Sequence, residues 1–346
     1  MKLFNFYFLG LALMSVMFTS CGDDDPVVLD RTFDDGVLII NEGPFSGGSA
    51  SLDFYDRSAD SIVSNVYSAV NDEQVIGSIL QSVTIIGDNA YLVVNNSAKI
   101  EVVDANTLQY KNTITGVFSP RYMVDLGNGN AAVSEWGLDG ISGQIKLVDL
   151  STMTVQDSIP LSGPEQMVVA NGKLYVANSG GFGESNKVSV HGLDLAQQIA
   201  IPVGKRTIDM VQDANGDLWV LSGGSYVTND GASLCRIKND IKQNCIDLEG
   251  FPSDLIINDQ GTRVFYVENG LVNSVNVATP TESAIVNTPN VSGTIYGLGY
   301  DGAQEALLIG TTPDFSSAST THIIFDNGDT PKTFTTGVLT NGFIVR

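Results

Sequence analysis

QMVVANGKLYVAN (residues 166–178) contains two short apolar runs separated by Asn171-Gly172. Apolar and polar residues alternate with a period of two, which indicates strands rather than helices. Asn-Gly is a preferred two-residue hairpin turn. Two further short runs follow, at residues 187–191 and 198–201. The stretch therefore predicts four consecutive antiparallel strands, which we label a, b, c and d.

The same pattern recurs along the chain at a nearly constant interval. Its clearest copies begin at Gln81, Tyr122, Glu165, Ile208, Ser253 and Ile295, and the intervals are 41, 43, 43, 45 and 42 residues. A four-stranded repeat of about 40–45 residues is typical of the blades of a β-propeller. Charged residues make up only 16% of the chain, which disfavours long solvated helices.

The two ends of the repeating region complement each other. Residues 36–41, 50–56 and 61–67 resemble strands b, c and d, whereas residues 342–346 resemble a lone strand a. A C-terminal strand that joins the N-terminal blade leaves no free sheet edge. We therefore predict an all-β protein over residues 36–346, a seven-bladed β-propeller with four antiparallel strands in each blade.

Residues 1–20 have the features of a lipoprotein signal peptide. Lys2 precedes an apolar segment, residues 3–18, which is too short for a spanning helix of the mature protein. Thr19-Ser20-Cys21 resembles a lipobox, which implies cleavage before Cys21 and lipidation of this cysteine. Phe18 departs from the leucine that is usual at its position. The alternative is a cysteine within an ordinary secretory signal.

Residues 21–35 form a predicted lipidated acidic tether. Three aspartates at positions 23–25 resemble the surface-export signal of Bacteroidetes lipoproteins. This resemblance implies an outer-membrane protein that is exposed on the cell surface and touches the membrane only through its lipid anchor. The alternative is a solvated spacer without a sorting role.

The formal net charge is −22, which argues against nucleic acid as a partner because the field repels phosphate backbones. The acidic residues either keep a surface protein soluble or attract a cationic or metal-bearing ligand. His191 and His322 are the only histidines, and both fall in predicted c strands of different blades. No zinc cluster or nucleophile–histidine pair can be assembled from them. We predict no catalytic residue, no metal site and no cofactor.

Two smaller motifs have structural interpretations. Asp213-Ala-Asn-Gly-Asp217 is similar to a calcium loop, but other blades have a turn at the same position, which favours a hairpin. Cys235 and Cys245 each lie five residues from Asp240, at the centre of a predicted c–d turn. Residues opposite each other on adjacent strands are close enough for a disulfide if they form a non-hydrogen-bonded pair. An exported chain favours this bond.

The longest and richest loops lie on one predicted face of the propeller. The b–c loops and d–a links emerge together there, and we call this face the mouth. Its glycines, aromatic rings, amides and charged groups are a mixture typical of concave binding sites. Four carboxylates, Glu42, Glu135, Glu165 and Glu268, can also converge there, and paired carboxylates would suit glycoside hydrolysis.

Several loop sequences resemble a known group. INEGPFSGGSASLDFYD (residues 40–56), YLVVNNSAKIEVVD (91–104), SPRYM (119–123) and LYVANSG (174–180) are similar to YncE-like surface-layer propellers of Bacteroidetes. With the lipid anchor and the acidic run, they resemble the BtuG-type lipoproteins. That resemblance implies capture of a corrinoid (vitamin B12) on one propeller face and its transfer to an outer-membrane TonB-dependent transporter.

The candidate ligand-binding residues combine these motifs with the aromatic residues of the mouth. They are Asn41, Glu42, Phe45, Asn95, Asn96, Arg121, Tyr122, Trp136, Phe182, Tyr226, Phe251 and Phe315. No histidine is expected at the mouth, so a corrinoid would be recognised through its periphery rather than its cobalt. The main expectation is a cell-surface binding protein rather than an enzyme. The alternatives are an adhesion or scaffold propeller that binds a protein or glycan, and a propeller hydrolase or lyase.

Overall fold

A computed structural model describes residues 31–346 of the chain. These residues form seven four-stranded antiparallel sheets and one short helix, α1 (Val66–Val70). The seven-bladed β-propeller predicted from the repeat is therefore confirmed. The predicted signal peptide and Cys21 lie outside the described residues. Within residues 31–346, no helix is both long enough and apolar enough for a membrane span.

The strands follow the a–b–c–d order of the sequence repeat. In chain order they are β1 (Gly36–Asn41), β2 (Ser51–Asp56), β3 (Ser61–Val63), β4 (Leu80–Ile86), β5 (Asn89–Val94), β6 (Lys99–Asp104), β7 (Tyr110–Ile114), β8 (Ser119–Asp125), β9 (Asn130–Trp136), β10 (Ser142–Asp149), β11 (Thr154–Ser162), β12 (Pro164–Ala170), β13 (Lys173–Asn178), β14 (Lys187–His191), β15 (Gln197–Pro202), β16 (Thr207–Gln212), β17 (Leu218–Gly223), β18 (Ala232–Lys238), β19 (Ile241–Asp247), β20 (Ser253–Ile257), β21 (Arg263–Glu268), β22 (Leu271–Asn276), β23 (Ser283–Ile285), β24 (Thr294–Asp301), β25 (Ala306–Thr312), β26 (Ala318–Phe325), β27 (Lys332–Val338) and β28 (Thr340–Val345). Strand a of each blade contacts strand a of the next, so these seven strands surround the central channel.

The C-terminal strand closes the ring, as the sequence predicts. β28 pairs with β1 in the order β28-β1-β2-β3, with Val345 opposite Val37 and Phe343 opposite Ile39. Blade 1 is thus built from both ends of the chain, and we number the other blades 2 to 7 along the sequence. β28 is thus strand a of blade 1, and its backbone hydrogen bonds cover the edge of β1 that would otherwise be free.

A buried polar cluster accompanies the closure, and we call Asn41, Asp53, Gly337 and Thr340 the closure network. The Asp53 carboxylate accepts hydrogen bonds from the Asn41 amide (2.9 Å) and from the backbone N–H of Gly337 (2.9 Å). The backbone N–H of Asn65 donates to its other oxygen (2.8 Å). The Thr340 hydroxyl donates to the side-chain amide oxygen of Asn41 (2.7 Å). These bonds connect both ends of the chain with blade 7.

The hydrophobic core lies between neighbouring blades. Strand b is buried on both faces, and every residue of β1 and β25 is buried. Leu38 and Leu52 of blade 1 pack in the same cluster as Leu92 of blade 2. Strands covered on both sides need continuous apolar runs, which explains segments such as the VLII of β1.

Strand d of blade 1 is shorter than the sequence predicts. A strand was expected over residues 61–67, but β3 ends at Val63 and Tyr67 lies in α1. Asn65 adopts a left-handed conformation (φ 54°), which interrupts the extended backbone. Tyr67 remains buried in the core between blades 1 and 2, so its apolar ring fits either structure.

Candidate ligand-binding mouth

Each blade carries a β-bulge at the same level of strand a. In blade 2, Leu80 and Ser82 face the consecutive residues Val94 and Val93, so Gln81 is an additional residue. The same register shift occurs in all seven blades. The bulge residues are Asn341, Gln81, Arg121 with Tyr122, Glu165 with Gln166, Ile208, Asp254 and Tyr296.

These bulges build the mouth of the channel. A bulge turns a side chain away from the normal alternation of a strand, and bulges are frequent beside functional sites. Here every blade contributes a bulge residue to the lining of one or both of two cavities, with volumes of about 300 Å³ and about 580 Å³. Both cavities are lined by Arg121, Tyr122 and Trp136, so they adjoin. As labels that do not describe depth, we call the 300 Å³ cavity, lined by blades 3 to 6, the inner cavity. The 580 Å³ cavity, which extends along strand-a residues such as Val83, Ile256 and Ile344, is called the outer cavity.

Arg121 organises the side of the mouth formed by blades 2 to 4. Its guanidinium pairs with Glu165 at 3.0 Å and donates a short hydrogen bond to Gln81. It also lies 4.7 Å from the ring centroid of Trp136, in a cation–π contact. Burial raises the pKa of Glu165, and the charge of Arg121 opposes that shift. The positive charge of Arg121 therefore already has a carboxylate partner.

Glu42 and Tyr296 face the outer cavity from blades 1 and 7. The Tyr296 hydroxyl donates to the Glu42 carboxylate at 2.5 Å. Burial raises the pKa of Glu42, against this hydrogen bond and the charge of Arg121. In this pair the donor is a neutral hydroxyl, whereas the donor to Glu165 is the charged guanidinium of Arg121.

Two aspartates line both cavities from blades 5 and 6. Burial raises the pKa of Asp209 to about 7 and that of Asp254 to about 6. The Asp209 carboxylate accepts backbone hydrogen bonds from Met210 (2.8 Å) and Leu255 (3.0 Å), so both of its oxygens are used. Within residues 31–346, the Asp254 carboxylate accepts no hydrogen bond of 3.5 Å or less, and the neighbouring Ser253 hydroxyl only partly offsets the effect of burial on its pKa. Its left-handed backbone (φ 51°) is the strained type that concentrates at functional sites.

Arg206 is the second guanidinium of the inner cavity. It donates to the backbone carbonyls of Gly223 (2.6 Å) and Gly224 (2.9 Å) and lies 4.2 Å from the ring centroid of Tyr226. None of the carboxylates in residues 31–346 forms an ion pair with it at 4.0 Å or less. Burial lowers its pKa, while the acidic groups of Tyr226 and Glu165 oppose that shift.

Aromatic pairs surround the cavities. Trp136 and Phe182 meet edge to face at 5.4 Å, and Tyr226 lies 5.1 Å from Phe251. Near blades 7 and 1, Phe315 lies 6.2 Å from both Phe45 and Tyr296. Phe182 is 79% exposed, and several other rim rings are more than half exposed. Exposed rings arranged in this way provide apolar contact area for a ligand.

The structure brings together most of the residues chosen from sequence. The cavities are lined by Glu42, Phe45, Arg121, Tyr122, Trp136, Phe182 and Tyr226. Phe251 and Phe315 pack against rings of this lining.

Three predicted residues lie elsewhere. Asn41 is fully buried in the closure network. The Asn95 amide donates to the backbone carbonyl of Pro120 (3.0 Å), and Asn96 donates to the Ser78 hydroxyl (3.1 Å). Asn41 is the last residue of a buried strand b, and Asn95 and Asn96 fasten a loop to the adjacent link. Their amides therefore have structural partners.

Only two of the four candidate glutamates reach the mouth cavities. Glu42 and Glu165 line them, whereas Glu135 is buried and accepts the backbone N–H of Phe118 (2.9 Å). Glu268 accepts the backbone N–H of Glu249 (2.8 Å). Two of the four carboxylates that could have converged at the mouth therefore support loop backbones instead.

Several lining residues were absent from the sequence-based set. They are Gln81, Arg206, Asp209, Asp254, Tyr296 and Asn341. A usable signal existed, since each copy of the repeat begins at or next to a bulge residue. Repeat position would have found Gln81, Asp254 and Tyr296 more reliably than the search for aromatic and amide groups in loops, although it would not have identified Arg206 or Asp209.

The remaining motifs lie outside the mouth cavities. His191 and His322 are buried in strands β14 and β26. Asp213 accepts the Trp219 indole N–H (3.0 Å), and in the described part of the chain no cluster of His, Cys, Asp and Glu is arranged for a metal ion.

The two cysteines of blade 5 face each other across β18 and β19. Cys235 lies opposite Cys245 with a Cα–Cα distance of 4.1 Å, and their sulfur atoms are bonded. This separation matches the closely spaced, non-hydrogen-bonded pair that a cross-strand disulfide requires.

The comparisons with known proteins agree with this architecture. The model of a family described as a domain of unknown function, DUF5074, matches residues 35–334. The chain belongs to the DUF5074 family. No curated protein matches it.

Solved structures share the fold of this DUF5074 chain. A quinonprotein alcohol dehydrogenase-like protein of Bacteroides thetaiotaomicron is 17% identical, with a TM-score of 0.65 over 90% of this chain and 79% of that chain. The periplasmic gluconolactonase of Pseudomonas aeruginosa is 12% identical, with a TM-score of 0.68 over 90% and 99%. A functionally unknown protein of Desulfotomaculum acetoxidans is 11% identical, with a TM-score of 0.67 over 90% and 99%. Such low identities establish similarity of fold alone.

Proposed function

We propose that this DUF5074 propeller is a binding protein that takes a small molecule at its mouth. The supporting observation is the sevenfold set of strand-a bulges, which directs polar side chains from six of the seven blades, and the apolar Ile208 from blade 5, into two adjoining cavities. Aromatic pairs surround these polar groups. Apolar area with a few placed donors and acceptors is the usual composition of a ligand site.

The ligand that we propose is a corrinoid. Its macrocycle has apolar edges and several peripheral amides. The rim rings can contact the edges, while the polar groups of the cavities can bind the amides. Neither cavity is lined by His191 or His322, so recognition would act through the periphery rather than through the cobalt. The macrocycle would lie across the rim with its amide arms directed into the cavities.

The proposal is tested by calorimetry with cyanocobalamin. We expect saturable heat for the wild-type protein and weaker binding for Phe182→Ala, because Phe182 contributes exposed ring area to the rim. Ile241→Ala is a matched control, since Ile241 is 65% exposed and lies at the c–d turn of blade 5. Absence of heat and of a thermal shift at tens of micromolar would reject the corrinoid. A positive glycan array would then favour the adhesion alternative.

We further propose that the protein is anchored to the outer membrane and passes its ligand to a TonB-dependent transporter. This proposal depends on the sequence around Cys21 and on the resemblance to BtuG-type lipoproteins. Cys21→Ser should move the protein from the membrane fraction to the soluble fraction. Protease treatment of intact cells would distinguish a surface position from a periplasmic one, and co-purification would test the transporter partner.

A hydrolase is the second candidate, supported by the acidic groups of the inner cavity. Asp254 has a pKa of about 6 and can act as a general base near neutral pH. Arg206 lines the same cavity and can stabilise negative charge that develops on a carbonyl oxygen. Hydrolysis of glucono-1,5-lactone above the spontaneous rate, lost in Asp254→Asn, would support this function over simple binding.

A further inference from the structure

Glu42 and Glu165 are the two glutamates that line the mouth cavities, and they differ in their partners. Glu42 is 6% exposed and Glu165 is buried to the same extent. Glu165 is paired with Arg121 at 3.0 Å. Within residues 31–346, no Lys or Arg nitrogen lies within 4.0 Å of the Glu42 carboxylate. A buried carboxylate without a cation is costly, so the fold alone does not account for the charge of Glu42.

One oxygen of the Glu42 carboxylate is bonded and the other is not. Oε2 accepts the Tyr296 hydroxyl, a neutral donor, at 2.5 Å. In the described part of the chain, Oε1 accepts no hydrogen bond of 3.5 Å or less. Unlike the Trp136 indole N–H, Oε1 is not sealed from solvent. Because Glu42 lines the outer cavity, Oε1 is an acceptor that a bound molecule can reach.

Aromatic rings lie beside this carboxylate. Phe315 lies 6.2 Å from the ring of Tyr296, whose hydroxyl is bonded to Glu42, and 6.2 Å from Phe45. Phe45 follows Glu42 by three residues and lines the same cavity. Phe45 is 54% exposed and Phe315 is 57% exposed, so both rings have open surface. Open aromatic rings next to a carboxylate are suited to a cation, which they attract through cation–π contacts.

The charged groups around the outer cavity also favour a cation. Its lining contains three carboxyl groups, from Glu42, Asp209 and Asp254, and one guanidinium, from Arg121. Arg121 is already paired with Glu165. A cleft in which one sign of charge predominates concentrates ligands of the opposite sign, and the net charge of −22 acts in the same direction.

We propose that the outer cavity contains a site for the protonated primary amine of a small organic molecule. The ammonium group would donate to Oε1 of Glu42, and the carbon chain would lie against the Phe45 ring. A carboxylate would be repelled by Glu42. An alcohol could donate a hydrogen bond but would leave the buried charge uncompensated. A quaternary ammonium ion has the charge but lacks the N–H donor.

The site goes beyond the proposed corrinoid function, because it adds a second chemical class of ligand. The amide arms of a corrinoid are neutral, so they would not compensate the charge of Glu42. Each proposal therefore depends on a different property of the mouth, and each has its own probe.

Ligand-observed NMR tests the site with butylamine, which is protonated at neutral pH. The amine is titrated to roughly 100 mM, since so small a ligand binds in the millimolar range. We expect saturable transfer of magnetisation from the protein to butylamine. 1-Butanol, butyrate and tetramethylammonium each lack one feature of this probe and should bind about fivefold more weakly or less. Equal or tighter binding of any of these three, or no saturable response to butylamine, would overturn the assignment.

Glu42→Gln removes the charge but keeps the size of the side chain and an oxygen that can accept from Tyr296. We expect butylamine affinity to fall about tenfold or more, because charge-assisted hydrogen bonds are the strong ones. Glu268→Gln is a matched control, since it removes the same charge from a residue that lines neither cavity. Its affinity should stay within about twofold of the wild type, because distant charges are screened by salt. Equal losses in both variants would show an effect of net charge instead of a site.

Phe45→Leu is a second variant, at an exposed position where folding should not be affected. It keeps apolar volume but removes the ring, and butylamine affinity should fall about threefold. Unchanged affinity in both Glu42→Gln and Phe45→Leu would contradict the inference.

The outcomes separate this inference from the proposed ligand. Saturable binding of butylamine without heat from cyanocobalamin would reject only the corrinoid. Heat from cyanocobalamin without a response to butylamine would reject only the ammonium site. If neither ligand gives a response, both proposals fail.

Discussion

The closure network and the inner cavity are both polar clusters within an apolar propeller, but they differ in how their groups are partnered. In the closure network, Asp53 accepts three hydrogen bonds and the Asn41 amide is held from both sides. In the inner cavity, the Trp136 indole N–H and one terminal nitrogen of Arg206 form no hydrogen bond within residues 31–346, and no donor among these residues lies within 3.5 Å of the Asp254 carboxylate. A fully partnered cluster stabilises the fold, whereas an incompletely partnered one costs stability and is available to a ligand.

The largest expected effect is on the closure side. Asp53→Ala removes the acceptor for three donors, one of them in a fully buried hydrogen bond, so we expect the free energy of unfolding to fall by about 2–4 kcal/mol. Asp53→Asn keeps one acceptor oxygen and should lose less. Denaturant unfolding measures both variants. If Asp53→Ala unfolds at the wild-type denaturant concentration, the closure network has no stabilising role.

The disulfide of blade 5 lies outside both the closure network and the mouth, so its removal should affect stability without affecting binding. Cys235 and Cys245 are ten residues apart, and replacing both with serine should lower stability by about 2–3 kcal/mol. Mouth binding should not change, because neither cysteine lines the cavities. Mass spectrometry without reduction comes first, and two free thiols in the exported protein would remove the basis for this prediction.

In contrast to the closure network, where substitution lowers stability, the inner cavity contains a carboxyl group whose replacement should raise stability at high pH. Because burial raises the pKa of Asp254 from 3.8 to about 6, the folded state favours its protonated form. Its contribution to stability is therefore present below about pH 4 and is lost as pH rises to 6. We expect Asp254→Asn to be more stable than the wild type by about 1–3 kcal/mol at pH 8, with little difference at pH 4.

Unfolding curves at both pH values test this difference. A variant that is equally destabilised at pH 4 and pH 8 would show that Asp254 has a structural partner instead.

The smallest effect on stability should come from Gly223→Ala. A Cβ atom there would lie 2.2 Å from the guanidinium of Arg206, which is the end of a flexible side chain and can move. We expect a stability loss of about 1 kcal/mol or less, together with weakened ligand binding. Calorimetry with cyanocobalamin measures the second effect. Unchanged binding would show that Arg206 need not stay in place.

The blades and their closure could be predicted from sequence, whereas the polar residues of the mouth could not. Repeat spacing and the lone strand at residues 342–346 predicted the blades and their closure, because both depend on strand periodicity. Bulges add one residue to a strand without changing its composition, so Gln81, Asp254 and Tyr296 gave no loop-like signal. Asn41 was assigned to the mouth because a glycine-rich loop follows it, yet its side chain turns into the closure network.

Aromatic residues were easier to assign than polar ones. Phe182 and Tyr226 lie in loops with no strand pattern, and exposed rings in such loops already indicate a contact surface. Arg206 and Asp209 could not be assigned in this way. The role of a charged group depends on its partners, and those partners lie on other blades.

We propose that the mouth binds ligand, whereas the closure network stabilises the fold. Hydrogen–deuterium exchange with and without saturating cyanocobalamin tests it most directly. We predict slower exchange in the mouth segments 119–123, 164–166, 204–209, 223–227 and 251–255, with no change at the a–b turns on the opposite face. Protection confined to those turns, or no protection in the mouth segments, would contradict ligand binding at the mouth.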